Sequence, residues 1–377
     1  MKLFDIAIIG GGLSGSSTAL NLSKKGYSVI VIEKEETRSK IPCAGGMAAS
    51  IAKFVRSDIS SVIESEVKSV HFTWKSSDRV IAEIPGESSF WIVRREKLDE
   101  LLMQQAIKYG TTIIRSSEVD SLKRSDETWH CLCSNETVIH SKYLVIADGS
   151  ESKWATYFNL GPKKPKYANT LSMRLNGLGN ISKDSVRFDF GSIKYGFAWA
   201  FPLQDSINIG LGTFIGKSEL VNGNYSKEIL RGFGFGEIRC KPLIKKLRIW
   251  NGTHKLNQEG VLVVGDAASL CDPFLAEGIR PALISSFFAS EYIDKCLNAK
   301  TFNLDEYSKV MTNGWGQSMV WGKRIAEVFY RFPKTGYKLG VKRKTAPKRI
   351  AQILSGELDY SDIAKRVIRR LIFRDRN

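Results

Sequence analysis

Three glycines near the N-terminus have a spacing suited to one task, the holding of a diphosphate. Gly10, Gly12 and Gly15 form G-x-G-x-x-G within Gly10-Gly11-Gly12-Leu13-Ser14-Gly15. Gly10 permits a tight turn, Gly12 offers no side chain to an approaching pyrophosphate, and Gly15 lets a helix lie close to a strand. Leu13 and Ser14 lead into that helix, whose free N–H groups and positive dipole end favour phosphate oxygens. Glu33, followed by Lys34, closes the next apolar run. A carboxylate there accepts hydrogen bonds from adenosine ribose hydroxyls and repels a 2′-phosphate, which disfavours NADP in this site.

These residues need a βαβ unit to position them. Phe4–Ile9 reads as a buried parallel strand, Ser16–Lys25 as a helix with Gly26 at its C-cap, and Ser28–Ile32 as the second strand. Two later apolar runs also end in Gly/Asp turns. One begins near Tyr143 and reaches Ala147-Asp148-Gly149; the other is Val261–Val264, reaching Gly265-Asp266. A carboxylate at a strand's C-terminal end, as Asp266 is, can accept from a ribityl hydroxyl, and the stretch from Gly278-Ile279 onward brings helical N–H groups nearby. A third helix opens at Val93-Arg94-Arg95 and runs to Tyr109. Residues 170 to 215 are strand-rich, and alternation places Tyr195, Phe197, Trp199 and Phe201 on one face of a strand. Such a face either walls an apolar tunnel or fills an ordinary sheet core.

Composition narrows the classes. The 377 residues are 43% hydrophobic, enough for a large core. The apolar runs are of core-strand length, too short to span a bilayer, and Ile6–Ile9 flows into glycines unlike a signal peptide. A cytoplasmic protein is expected. The cysteines Cys43, Cys131, Cys133, Cys240, Cys271 and Cys296 are scattered, as are the four histidines, and no metal site is expected. The net charge is +17, from 56 basic and 39 acidic residues. That excess favours an anionic partner or is simply a basic, soluble surface. Nucleic acid is excluded on motif grounds, since no zinc-finger, helix-turn-helix or RNP pattern is present. Eight basic residues and no acid fall between Arg331 and Ile350, and from Ile363 to Phe373 apolar and basic residues separate onto opposite helical sides. That pattern suits either a helix on anionic lipid or one packed on the protein's own core.

Taken together, the G-x-G-x-x-G, A-D-G-x-x-S and G-D-A motifs resemble those of flavoproteins with the para-hydroxybenzoate hydroxylase fold. Three stretches resemble the geranylgeranyl reductases within it: Pro42-Cys43-Ala44-Gly45-Gly46, Phe197-Ala198-Trp199-Ala200-Phe201-Pro202 with Gly210-Leu211-Gly212, and Asp272-Pro273-Phe274-Leu275-Ala276-Glu277-Gly278-Ile279. The likeness covers roughly residues 4 to 330. Phe197 stands where the family signature has tyrosine, and Ala44, Ala276 and Ser269 stand where glycines are usual.

The resemblance implies an α/β fold: a Rossmann-type FAD-binding domain, an inserted antiparallel β-sheet substrate domain and a helical C-terminal region. The expected division is 1–70, 90–155 and 258–300 for FAD, 71–89 and 156–257 for substrate, and 301–377 for the basic helices. FAD is the implied cofactor, held by Gly10, Gly12, Leu13, Ser14, Gly15, Glu33, Lys34, Arg95, Asp148, Gly265, Asp266, Gly278 and Ile279. Arg95 matches the family arginine that reaches toward the pyrophosphate. Cys43, Gly45, Gly46 and Trp199 are the implied catalytic positions at the flavin face, and Tyr195, Phe197, Phe201 and Pro273 the implied substrate pocket. The implied reaction is hydride transfer from reduced flavin to a C=C bond of an isoprenoid lipid, diphosphate or pigment side chain. With no second dinucleotide motif, electrons come from transient NADPH or from ferredoxin, an acidic protein suited to a basic surface. A flavin-dependent monooxygenase or halogenase on the same fold is the alternative; halogenases carry a related W-x-W-x-I-P stretch.

Overall fold

The computed structural model describes residues 2–37, 41–84, 89–214, 224–236 and 241–366. The N-terminal glycines sit inside a βαβ unit: β1 (Leu3–Ile9), α1 (Leu13–Ser23) and β2 (Val29–Ile32). β1 and β2 pair in parallel from Ile6↔Val29 to Ile9↔Ile32, a geometry that requires a crossover, which α1 supplies. Val138–Ile146 pairs with the other side of β1, Val261–Val263 lies beyond it, and Thr112–Ile114 lies beyond β2, all parallel. These strands are nearly continuous apolar runs because helices cover the sheet. Antiparallel strands, Asn257–Gln258, Thr128–Cys133 and Val119–Ser125, extend it.

α1 begins at Leu13, three residues before the expected Ser16. Glycines read locally as loop, yet Gly15 belongs to the first helical turn. A Cβ there would lie 1.9 Å from the Gly10 carbonyl oxygen, so only glycine lets helix and strand approach so closely. Among α1 residues every one but Ser14 is buried, and the hydroxyls of Ser16 and Thr18 bond back to the carbonyls of Gly12 and Ser14. The helices α2 (Arg95–Lys108) and Ile279–Asn298 pack beside it.

A second, seven-stranded sheet has the order Leu243–Ile249, Lys166–Asn176, Ser206–Thr213, Gly196–Pro202, Ser185–Phe190, Ser69–Trp74, Ser77–Glu83. It is antiparallel except where Ser185–Phe190 pairs with Ser69–Trp74. A third, three-stranded sheet joins Gly46–Ala48, Phe90–Val93 and Ile63–Val67. It ties the loop containing Cys43 to the strand that leads into α2.

The C-terminal helices Gln317–Arg331, Pro333–Gly340 and Ala346–Leu354 pack on the core through buried Phe329, Tyr330, Tyr337, Val341 and Leu354. The Tyr337 hydroxyl donates to the Asp78 carbonyl at 2.7 Å. Of the expected amphipathic tail, Ile363 is half-buried and Lys365 and Arg366 are exposed, while 367–377 lie outside the described residues, as does Cys240. No helix among the described residues is long and apolar enough to cross a membrane.

Candidate active site

The C-terminal ends of the parallel strands, the third sheet and the face of the second sheet line one large cavity. Its polar end begins at the start of α1. Gly12, Leu13 and Ser14 line it, no acid lies in the first turn, and no side chain caps the helix. The first N–H groups of α1 therefore open into the cavity as uncompensated donors. Gly10 holds the preceding turn at φ 99°, and its Cβ would lie 2.4 Å from the Ala147 carbonyl oxygen. Gly10, Gly15 and Gly265 do not themselves line the cavity. They set the packing around it, Gly265 by placing its Cα where a Cβ would lie 2.0 Å from the Ser14 hydroxyl.

Glu33 is placed differently from the expectation. It is buried behind the glycine loop, with Oε2 accepting the Gly11 N–H at 2.6 Å and Oε1 the Glu35 N–H at 2.9 Å. It fixes the loop's shape, while Lys34 and Glu35 line the cavity. Arg95 lines the cavity, with its Nε and Nη2 held in a fork by Asp99, at 2.9 and 3.1 Å. Burial alone would lower its pKa, but the Asp99 carboxylate more than offsets this and holds the guanidinium charged. Nη1 remains toward the cavity, 3.9 Å from the Cys43 sulfur.

Asp148 lines the cavity, and one of its oxygens, Oδ1, is buried without a hydrogen-bond partner. Burial pushes its carboxyl pKa up despite hydrogen bonds to Ser152 and the Trp154 N–H. Asp266 also lines the cavity, with the Lys245 ammonium 3.6 Å from its Oδ2. Gly278 and Ile279 open the helix that completes this wall. Glu277, beside them, pairs with Arg280 at 3.0 Å. Arg280 Nη2 in turn donates to the carbonyls of Ile353 and Leu354, at 2.9 and 3.1 Å, and Leu354 itself reaches the cavity. Just before this loop Asp272 is buried, accepting the Tyr360 hydroxyl at 2.7 Å. Cys271 is a buried thiol whose pKa is raised by burial and by the neighbouring Asp266 and Asp272, a core residue.

The other end of the cavity is apolar, lined by Phe90, Phe188, Phe197, Trp199, Phe201 and Leu275. Phe197, Trp199 and Phe201 share a strand face as alternation requires. Trp199 is accommodated because Gly210 on the paired strand has no side chain; a Cβ there would come 2.2 Å from the indole. Tyr195 does not join them. Its φ of 60° places it in the turn before the strand, outside the cavity lining. Pro273 is buried but also outside the lining. Cys43, Gly45 and Gly46 line the junction of the two ends. Asn208, which sequence reading missed, positions this junction: its Nδ2 donates to the Cys43 carbonyl at 2.7 Å and its Oδ1 accepts the Trp199 indole N–H at 3.3 Å. Only the Asp99 partner of Arg95, four residues along one helix, left a readable trace.

These residues fit a flavin dinucleotide. The uncapped helix start suits a pyrophosphate, the orphan oxygen of Asp148 and the carboxylate of Asp266 can accept hydroxyls, and the cavity continues past them. The chain matches the FAD binding domain family over residues 4–173. It is 25% identical over 319 residues to a digeranylgeranylglycerophospholipid reductase of Methanococcus vannielii, covering 82% of this chain and 81% of the relative. A reductase of the same name from Thermoplasma acidophilum is 26% identical, covering 82% and 84%. The chain is an FAD-dependent oxidoreductase, and it is similar to the geranylgeranyl reductases. The fold is shared with solved structures of other proteins. A geranylgeranyl bacteriochlorophyll reductase-like structure from Thermoplasma acidophilum superposes with a TM-score of 0.78 at 20% identity, covering 94% of this chain and 92% of its own. A flavin-dependent brominase superposes at 0.73 and 18%, covering 99% and 100%.

Proposed function

We propose that this oxidoreductase saturates C=C bonds in a geranylgeranyl-type isoprenoid chain. The observation that carries this reading is the continuity of one cavity, from a diphosphate cradle at α1, past the Cys43 loop, to a wall of aromatic rings. The names of the relatives support it. FAD, once reduced, supplies a hydride; the alkene's second carbon takes a proton. The protein's share is to bind, orient and exclude water. Gly12, Leu13, Ser14 and the helix start at Ile279 offer N–H groups to the cofactor, and Asp148 and Asp266 accept its hydroxyls. Phe197, Trp199 and Phe201 hold an unactivated, apolar chain in place, where orientation supplies much of the rate. Cys43 and the Gly45-Gly46 backbone, steadied by Asn208, face the junction where donor and alkene meet.

On this reading residues 71–89 and 156–257 form the substrate domain. The substrate is a geranylgeranyl lipid, diphosphate or pigment side chain, the electrons come from NADPH or an acidic ferredoxin-like protein, and the protein works peripherally at a membrane. Substrate profiling with reduced enzyme under anaerobic conditions tests the proposal, with product masses rising in steps of two hydrogens. Turnover without oxygen supports a reductase. Strict dependence on oxygen moves the reading to the monooxygenase or halogenase class, which the brominase superposition keeps in view. A colourless protein that cannot be loaded with FAD overturns both.

A further inference from the structure

Three large apolar side chains on two consecutive C-terminal helices are among the most exposed of the described residues. Val328 is 65% exposed, Phe332 60% and Leu339 49%. Val328 and Phe332 are one helical turn apart, the Phe332 N–H donating to the Val328 carbonyl at 3.1 Å, and Leu339 lies on the next helix. The platform beneath them is firmly packed. Phe329 and Tyr337 are buried between them, and Phe329 presses on Gly336 so closely that a Cβ there would come within 2.8 Å of its ring. These side chains thus remain in water when the protein is folded, an arrangement a soluble surface normally avoids.

The charge around them is almost entirely positive. Arg324, Arg331, Lys334, Lys338, Arg343 and Lys344 are exposed and make no ion pair among the described residues. From residue 317 to 356 the only acid in the sequence is Glu327. Lysines and arginines alone would suit any polyanion. Exposed valine, leucine and phenylalanine beside them suit a surface that is anionic at its headgroups and apolar a few ångströms below.

We infer that the paired helices Gln317–Arg331 and Pro333–Gly340 are the face this protein lays on an anionic bilayer, with Val328, Phe332 and Leu339 entering the acyl boundary. The inference rests on the membrane-working reading above and adds where contact is made. The same helices lead inward to the cavity. Phe329, next to Val328, meets Phe190 at 5.1 Å between ring centroids, and Phe190 meets the cavity-lining Phe197 at 5.7 Å. The face is thus coupled to the apolar end of the site through packed, buried aromatic rings.

The FAD-loaded full-length protein would be sedimented with vesicles of phosphatidylcholine alone and with added phosphatidylglycerol, at low and high salt. The wild type is expected to bind only the anionic vesicles, and less at high salt. The triple variant V328S/F332S/L339S should bind roughly tenfold or more weakly at equal salt. The variant R331E/K334E/K338E should lose binding at low salt as well. Unchanged flavin content and melting temperature show that each variant is folded. If the serine variant binds like wild type while the protein still requires anionic lipid, contact lies elsewhere and the inference fails, although the membrane reading stands. If the wild type ignores anionic vesicles at low salt, both fail. Tight binding to duplex DNA that the serine variant retains in full assigns the face to a nucleic acid and also overturns it. Reduction of a short, water-soluble prenyl diphosphate without vesicles reports on the reductase reading separately, and all three proteins should share it.

Discussion

The two ends of the cavity are built from different materials. At the α1 end the groups that face a ligand are backbone N–H donors, and the side chains behind them, such as Glu33, serve to hold that backbone in shape. At the aromatic end the ligand-facing groups are the side chains themselves, and the backbone is an ordinary antiparallel ladder. Backbone sites tolerate little, because a single Cβ in the wrong place meets a peptide group that cannot move. Side-chain sites degrade gradually, because a lost ring leaves a gap that its neighbours partly fill.

The sharpest way to break this comparison is at the glycines. Gly15→Val would drive a branched side chain into the Gly10 carbonyl and is expected to give little soluble protein and no flavin. Gly12→Val should leave the chain folded yet abolish FAD binding, read as loss of flavin absorbance with an unchanged circular dichroism spectrum. Retained flavin in the Gly12 variant would mean the cradle lies elsewhere.

A smaller, graded effect is expected at the other end. Phe201 packs on Phe188 at 5.4 Å and on Phe90 at 6.2 Å between ring centroids. Phe201→Ala should destabilise the protein by about 3–5 kcal/mol while flavin affinity changes little, measured by denaturant unfolding and by flavin titration. A large loss of flavin affinity would show that the two ends are not separable. Asp266→Ala should weaken FAD binding by about 1–3 kcal/mol through loss of a hydrogen bond to a charged group, well short of the Gly12 effect. The smallest change concerns the loop between the ends. Ala276 holds φ 55° and Ser269 φ 57°, the left-handed region, at positions where the related signature has glycine. Ala276→Gly should stabilise the protein by roughly 0.5–1 kcal/mol, relief of the side-chain clash exceeding the added freedom of the unfolded chain. A lower unfolding midpoint in that variant would show that Ala276 makes contacts worth more than its strain.

The same division decided what the sequence revealed. The βαβ unit was legible because its signals are local: periodicity, glycine spacing and a terminal acid within thirty or so residues. The aromatic strand face was legible through alternation, up to the point where Tyr195 turns away. Its left-handed backbone is set by the turn entering the strand, and alternation carries no information about that. Asn208 was invisible because its meaning lies in a bond to a carbonyl 165 positions earlier in the chain. Likewise the parallel pairing of Ser69–Trp74 with Ser185–Phe190 joins segments over a hundred residues apart, and no short-range pattern announces it. Arg95 reaches the cavity as its motif implies, but its ion pair with Asp99, four residues on in the same helix, is a local feature that the motif match passed over.

The loop from Asp272 to Arg280 is fastened from the far end of the chain: Arg280 grips the carbonyls of Ile353 and Leu354, Tyr360 clasps Asp272, and Leu354 forms part of the cavity wall. During synthesis the glycines at 10–15 emerge well before the segment at 353–360 that closes the site. A nascent chain can therefore form its diphosphate cradle early, yet it has no finished wall around the cofactor until that later segment has been made. A ribosome stalled before Ile353 would carry a protein with its first motif complete and its cavity still open on one side.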